Sequence, residues 1–249
     1  MNEYELQYKL LLNLITNHGS ETETRAGKAK MLFSRSIAAD LRKGFPIITG
    51  KQIFFEKALA EWRWMWNGDT NIKFLNEHGI KWWDSYADDK GWLGRVYGYQ
   101  IREFGGAFDQ IPFVVEEIAN NSRRAIITFW NPNDLGAQAL PPCYTSMTFV
   151  REGNILHCDF LLRSSDVALG LPYDVVIGAL TLHEIARICN LQAGLLKMTL
   201  SNAHVYNNNS PAVEEYLTSR VYDLPIFSAD FQQLIIYSHG PHIPMELNV

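Results

Sequence analysis

The sequence predicts an α+β fold in a single domain spanning 1–249, and three observations predict it. Helix-like and strand-like segments mix irregularly instead of alternating as βαβ units. Neither repeats, low-complexity tracts nor a linker composition interrupt the 249 residues. An apolar content of 47% lets a chain of this length bury one sizeable core.

The elements follow in order. Segment 3–17 carries Leu and Ile at helical spacing and ends at His18-Gly19, a helix-stop signal. Residues 20–30 are polar, include Arg25-Ala26-Gly27, and read as a solvated loop. Segment 41–48, with Phe45-Pro46, predicts the edge of a strand, and Lys51 follows it. Apolar residues over 53–66 suit a buried helix, which makes Glu61 an oddity because a buried carboxylate is costly without partners. Asn67-Gly68-Asp69-Thr70 ends that helix and opens the next. Trp82-Trp83-Asp84-Ser85-Tyr86 supplies flat aromatic faces, of the kind that ordinarily fill a core. Segment 94–98 puts Tyr97 on a glycine-flanked turn, and 108–120 reads as a helix. Ser122-Arg123-Arg124 precedes a strand over 125–130; two adjacent arginines are usually a solvated charge pair. Two short strands follow residue 143. Segment 167–190 contains a long apolar helix starting near Pro172, with Asp174 in its first turn, where a carboxylate suits the helix dipole. Residues 195–206 read as a strand running into His204-Val205-Tyr206. A helix near 211–222 and a strand near 231–237 precede the tail.

Composition narrows the function. A formal net charge of −5 without a long basic run argues against a nucleic-acid surface, so phosphate contacts fall to a few placed arginines. Three cysteines, Cys143, Cys158 and Cys189, without C-x-x-C spacing suggest neither a disulfide framework nor zinc, and a reducing cytoplasm fits. His183-Glu184 opens a zinc-helix pattern, but Arg187 stands where its second histidine belongs, so no metal is expected. No signal-peptide pattern is read at the N-terminus, and no apolar run reaches the roughly 18 residues of a membrane span.

The organising stretch is Leu140-Pro141-Pro142-Cys143-Tyr144, then Arg163-Ser164-Ser165-Asp166, then Gly170-Leu171-Pro172-Tyr173-Asp174. The double proline stiffens the backbone before Cys143. Arg163, a strand's length away, can hold an anion or keep a thiol ionised. A lone cysteine is more often a small buried hydrophobe, so the weight lies in the spacing.

Read as a pattern, Pro-Pro-Cys, Arg-Ser-x-Asp-x-x-x-Gly-x-Pro-Tyr-Asp and His204-Val205-Tyr206 resemble the thymidylate synthase family. Trp66-Asn67-Gly68-Asp69-Thr70-Asn71-Ile72, Trp83-Asp84, Gly94-Arg95-Val96-Tyr97-Gly98, Ser122-Arg123-Arg124 and the last ten residues match it in order, over nearly the whole chain. The resemblance implies a three-layer sandwich that pairs through its sheet as a homodimer. It implies 5,10-methylenetetrahydrofolate as cofactor and a pyrimidine deoxynucleoside monophosphate as substrate. Cys143 becomes the nucleophile: a thiolate adding to carbon 6 pushes electron density onto carbon 5, which then attacks the one-carbon unit. Glu61 and Tyr97 handle water and protons. Arg25, Arg163 and Ser164 hold the phosphate, joined by Arg123 and Arg124 of a partner chain, and the arginines are expected to favour the thiolate. His204 and Tyr206 hold the deoxyribose. Asp166 reads the pterin beside the nucleotide, Lys51 meets the folate tail, and Trp82, Trp83 and Val249 complete the cofactor pocket.

Two departures bear on function: Tyr144 replaces the family's histidine, and Asp174 replaces its asparagine. An asparagine amide complements uracil, which offers an N3–H donor beside an O4 acceptor. Cytosine reverses that pattern, and a carboxyl group can accept from N4 while sharing a proton with N3. Asp174, with Tyr144 beside it, therefore implies a cytosine nucleotide, as in deoxycytidylate hydroxymethylases, which bacteriophages often carry. Another departure, Leu162 for the family's glutamine, removes a polar contact. Trp83, Leu140 and Val249 resemble methylating members, whereas a polar Asn248 suits delivery of water. Hydroxymethylation is the expected reaction. The alternatives are methylation of deoxycytidylate and either reaction on deoxyuridylate, and a rival of another class is a fold kept only for binding messenger RNA.

Overall fold

Fifteen-residue β7 (Gln192–Tyr206) is the spine of the sheet. The computed structural model describes residues 2–230 and 232–248. Strand β7 lies between β2 (Gly27–Asp40), which it pairs antiparallel, and β5 (Ile155–Leu162), which it pairs in parallel. Outward from β5 come β4 (Tyr144–Glu152) and β3 (Ile126–Thr128); outward from β2 comes β1 (Ser20–Thr24). The two-residue β6 (Ser165–Asp166) pairs the end of β7, setting Asp166 beside His204.

Burial alternates along the strands, as a sheet with one covered face requires. Ile127, Met147, Phe160, Met198 and Ile37 are cross-strand partners and all are buried. Helix α6 (Leu171–Ile188) lies on this face, where Gly178 lets it approach: a Cβ there would stand 3.0 Å from the Phe160 ring. Helix α2 (Phe55–Trp66) packs over α6, tied to it where Trp62 Nε1 donates to Thr181 Oγ1 at 3.1 Å. Helix α1 (Glu3–His18) covers β2. The short α3 (Lys73–Glu77), α4 (Tyr97–Arg102) and α5 (Gln110–Ala119) follow in sequence, and α7 (Ser210–Thr218) adjoins α1. The arrangement is the predicted α+β fold, with α2, α6 and the sheet stacked in layers. Among the described residues no helix is long and apolar enough to cross a membrane.

Four local expectations are corrected. Segment 20–30 is not a loop: β1 and β2 form a hairpin registered from Ser20↔Met31 to Thr24↔Gly27, with Arg25 in its turn. Both faces are largely solvated here, so the ladder holds without apolar alternation. Segment 41–48 is not a strand edge. It is a 3-10 turn (Leu41–Lys43), then Gly44 at φ +137°, then a buried irregular run in which Pro46 has no N–H to give a ladder. Tyr97 opens α4 instead of standing on a turn. At the end, the helix stops at Thr218, and β9 (Gln233–Ile235) pairs a strand the sequence did not signal, β8 (Ile226–Ser228). Phe231 of the predicted strand lies outside the described residues.

Candidate active site

Cys143 stands immediately before β4, and Arg163, just beyond β5, fixes its loop. The Arg163 backbone N–H donates to Cys143 O at 2.9 Å. Its Nε donates to Pro142 O at 2.8 Å and its NH2 to Pro141 O at 3.0 Å, while the guanidinium lies 5.4 Å over the Trp130 ring. The Cys143 N–H donates to the Tyr97 hydroxyl at 2.9 Å. Tyr97 reaches this point because Gly94 (φ +71°) lets the chain turn against the carbonyl of Ala137, where a Cβ would collide.

The thiol departs from expectation. Burial and the nearby Asp174 carboxyl push it up; Arg163 and a Tyr97 hydrogen bond pull it down and are outweighed. In the free protein the arginine does not by itself deliver a thiolate.

Asp174 sits in the first turn of α6, but its carboxyl does not cap the helix: Gly170 is the N-cap and no side chain caps it. Instead Oδ1 accepts the Tyr144 hydroxyl at 2.8 Å, and among the described residues nothing bonds Oδ2. Burial raises the carboxyl to about 7; the Tyr144 bond lowers it, and Glu61 and Asp166 add to the rise. Tyr144 is itself buried, boxed by the rings of Tyr97 and Phe160, each 4.7 Å away, and of Phe129 at 5.5 Å. Leu162 is its cross-strand partner. Two departures from the family pattern are thus neighbours, and together they replace polar side chains by a box with one hydroxyl.

Glu61 is buried on α2, and its Oε1 accepts the indole N–H groups of Trp82 at 3.0 Å and Trp83 at 2.7 Å. Burial raises its pKa despite these donors. Asp166 Oδ1 accepts from the N–H groups of Ala168 (3.0 Å) and Leu169 (3.3 Å), and burial raises the carboxyl to about 6. Lys51 is buried, not extended toward a ligand. Its Nζ donates to Ala168 O and approaches Met245 Sδ, both at 3.1 Å, and burial lowers it to about 8.

The C-terminal segment is already docked on this wall. Gly240 N–H donates to Thr49 O, and Gln52 N–H to Pro241 O. Asn209 pairs both backbone groups of Glu246: its Nδ2 donates to the carbonyl at 3.0 Å and its Oδ1 accepts the N–H at 2.8 Å. Asn248 spends its amide on Asn208 and on Glu246 O, which differs from the expected hold on a water in the site. Val249 lies outside the described residues.

His204 Nδ1 lies 3.1 Å from Asn202 Oδ1, its ring edge-on to Tyr206 at 5.1 Å, and burial lowers its pKa. Ser164 is half-buried beside Arg163. Burial raises the Tyr86 phenol; Arg25 pulls it down, and Cys143 and Tyr206 add to the rise. Tyr86, read from the sequence as ordinary packing, thus joins the site; its position after Trp83-Asp84 was the available signal. Asn209 was missed too, because a latch to a tail 37 residues away has no local pattern. Arg123 and Arg124 stand apart, exposed before β3, with Arg124 Nε on Glu117 Oε2 at 3.1 Å.

The family described as thymidylate synthase matches residues 6–245. A thymidylate synthase of Buchnera aphidicola subsp. Baizongia pistaciae (strain Bp) is 38% identical over 225 residues, covering 88% of this chain and 85% of that protein. Thymidylate synthases of Coxiella burnetii, strains Dugway 5J108-111 and RSA 331 / Henzerling II, are 34% identical over 253 residues, covering 95% of this chain and 96% of each relative.

Proposed function

The chain belongs to the thymidylate synthase family, and from that premise we propose that its substrate is deoxycytidylate and its product 5-hydroxymethyl-deoxycytidylate. Membership makes it a methylenetetrahydrofolate-dependent enzyme acting at carbon 5 of a pyrimidine nucleotide. The residues fit that cofactor: Trp82 offers a half-buried indole face, and among the described residues nothing bonds Asp166 Oδ2, which is left for a polar ring edge. When bound, methylenetetrahydrofolate supplies the one-carbon unit.

The single observation that carries the base assignment is the Asp174 carboxyl, half-buried beside the nucleophile, with Oδ1 accepting the Tyr144 hydroxyl and Oδ2 left without a partner among the described residues. Such a group can donate a proton to cytosine N3 and accept from N4. An ionised carboxylate facing uracil O4 would set acceptor against acceptor, at a cost of roughly 1–3 kcal/mol.

The remaining roles are those the family pattern implies for these positions. Arg163, Ser164 and Arg25 hold the phosphate; a phosphate drawing Arg163 off the Pro141 and Pro142 carbonyls would also loosen the Cys143 loop. His204 and Tyr206 hold the sugar. Cys143 adds to carbon 6, and Tyr97 steadies its backbone and sulfur. Glu61, with a raised pKa and Oε1 filled by two indoles, takes the proton from the water that completes the hydroxymethyl group. Lys51 meets the folate tail only when the C-terminal segment shifts off it. Two copies pair through the uncovered sheet face, where Val150, Leu195 and Phe33 are exposed, and each lends Arg123 and Arg124 to the other's phosphate site.

One observation favours a second product. Trp83 is buried and pinned to Glu61, a wall suited to excluding water, and hydride transfer would then give 5-methyl-deoxycytidylate.

The test is kcat/KM on deoxycytidylate and deoxyuridylate for wild type and Asp174→Asn, with mass analysis of the product. Wild type is expected to prefer deoxycytidylate by about 10²-fold or more, and the variant to move toward deoxyuridylate. A wild type that prefers deoxyuridylate overturns the base assignment.

A further inference from the structure

A carboxylic acid that titrates near neutrality does not by itself select cytosine. When neutral it offers one O–H donor and one C=O acceptor, and the proton can sit on either oxygen. With the acceptor oxygen toward position 4 it complements cytosine; with the two oxygens exchanged it complements uracil. Asp174 therefore needs a second group that decides which oxygen is which.

We propose that Tyr144 is that group: by donating its hydroxyl to Asp174 Oδ1 it keeps Oδ1 an acceptor and confines the exchangeable proton to Oδ2, so that the carboxyl reads cytosine and rejects uracil. The inference rests on the deoxycytidylate reading and supplies what that reading lacks.

The geometry carries it. Tyr144 O–H to Asp174 Oδ1 is 2.8 Å, and it is the hydrogen bond of that hydroxyl among the described residues. The phenol cannot turn aside, because Tyr97, Phe129 and Phe160 box its ring and Leu162 faces it across the strand pair. Burial raises its titration well above the usual phenol range, so at every working pH it keeps the proton it gives to Oδ1. Oδ2 is the oxygen turned toward Gly170, where a Cβ would be 3.9 Å away, and it has no partner among the described residues. A carbonyl-type oxygen has two lone pairs, so Oδ1 can accept from Tyr144 and from cytosine N4 together, while Oδ2–H donates to N3. When the thiolate adds to carbon 6, the Oδ2 proton is placed to pass to N3, leaving Asp174 ionised and still bonded to Tyr144.

The other groups acting on Asp174 do not make this choice. Glu61 from α2 and Asp166 from β6 act through charge and raise it as a whole; the Tyr97 phenol from α4 and the Cys143 thiol lie near, and the phenol oxygen accepts the Cys143 backbone N–H. Tyr144 is therefore a positioning residue for Asp174.

The experiment is a cycle of wild type, Tyr144→Phe, Asp174→Asn and the double variant. Each is assayed for kcat/KM on both nucleotides across pH 5–9, with circular dichroism to confirm folding. Tyr144→Phe keeps the aromatic box and is expected to lower the cytosine preference roughly ten- to a hundredfold. The Asp174 inflection in its pH profile moves upward, because the bond that lowers it is gone. In the Asp174→Asn background there is no exchangeable proton to confine, and the hydroxyl can accept from the amide NH2 as well as donate to its oxygen, so removing it changes the base ratio less than in wild type. A full cytosine preference and an unmoved inflection in Tyr144→Phe overturn the inference while leaving the substrate reading intact. No change of preference in Asp174→Asn overturns the substrate reading itself.

Discussion

Trp83 donates its indole N–H to Oε1 of Glu61 over 2.7 Å, and that bond decides how a buried carboxylate on an apolar helix is tolerated. Trp82 adds a second indole donor at 3.0 Å on the same oxygen. A carboxylate taken out of water needs such donors, and these two come from adjacent residues of one segment. Fold and chemistry meet at one atom.

Glu61→Gln therefore separates the two roles. The amide oxygen can still accept both indoles, so the fold should survive, with a urea midpoint close to wild type. Turnover should fall by roughly 10² to 10⁴ if the carboxyl moves a proton in the reaction. Glu61→Ala should behave differently, because it strands two indole donors and costs about 1–3 kcal/mol for each buried group left unpaired. Unimpaired kcat in Glu61→Gln would reduce Glu61 to a structural acceptor.

Arg123 and Arg124 give the second prediction. They are exposed and away from their own Cys143 loop, the arrangement expected if they serve a partner's phosphate. Mixing inactive Cys143→Ala with inactive Arg124→Ala should restore up to about a quarter of wild-type activity per site, since half the dimers are hybrids and each hybrid carries one intact site. Activity is read against mixing time, with subunit exchange followed by a tag. Exchange without recovery would leave these arginines as surface charges, Arg124 paired with Glu117.

What the sequence disclosed and what it hid divide along physical lines. Helices α2 and α6 were legible because long apolar runs with helix-end signals have few other solutions. The Cys143, Arg163 and Asp174 cluster was legible through its resemblance to a family pattern. The β1–β2 hairpin was not, because Thr22 and Thr24 face water beside exposed charges and no periodicity records a ladder between solvated strands. The run through Ile47 and Ile48 was buried as its composition demands, but Gly44 and Pro46 denied it a sheet. Nor could sequence order reveal that Tyr144 spends its hydroxyl on Asp174, or that Asn209 holds the tail at Glu246. Those are distances between segments brought together by the fold.

The last prediction concerns the thiol and works through the sign of two coupled shifts. Cys143 titrates above its usual 9, chiefly through burial and next through the negative charge of Asp174. At pH 7 the reactive thiolate is then a minor species, and alkylation of Cys143 by iodoacetamide should speed up about tenfold per pH unit between 7 and 9. Asp174 itself titrates at about 7. Below that it is mostly neutral and exerts little pull; above it the carboxylate opposes a second negative charge nearby. Asp174→Asn should therefore alkylate at the wild-type rate near pH 5.5 and several-fold faster near pH 8.5. Cys143→Ala supplies the blank for Cys158 and Cys189. A rate ratio that stays flat from pH 5.5 to 8.5 would show that Asp174 does not act on the thiol. Its charge would then have to be felt elsewhere in the pocket.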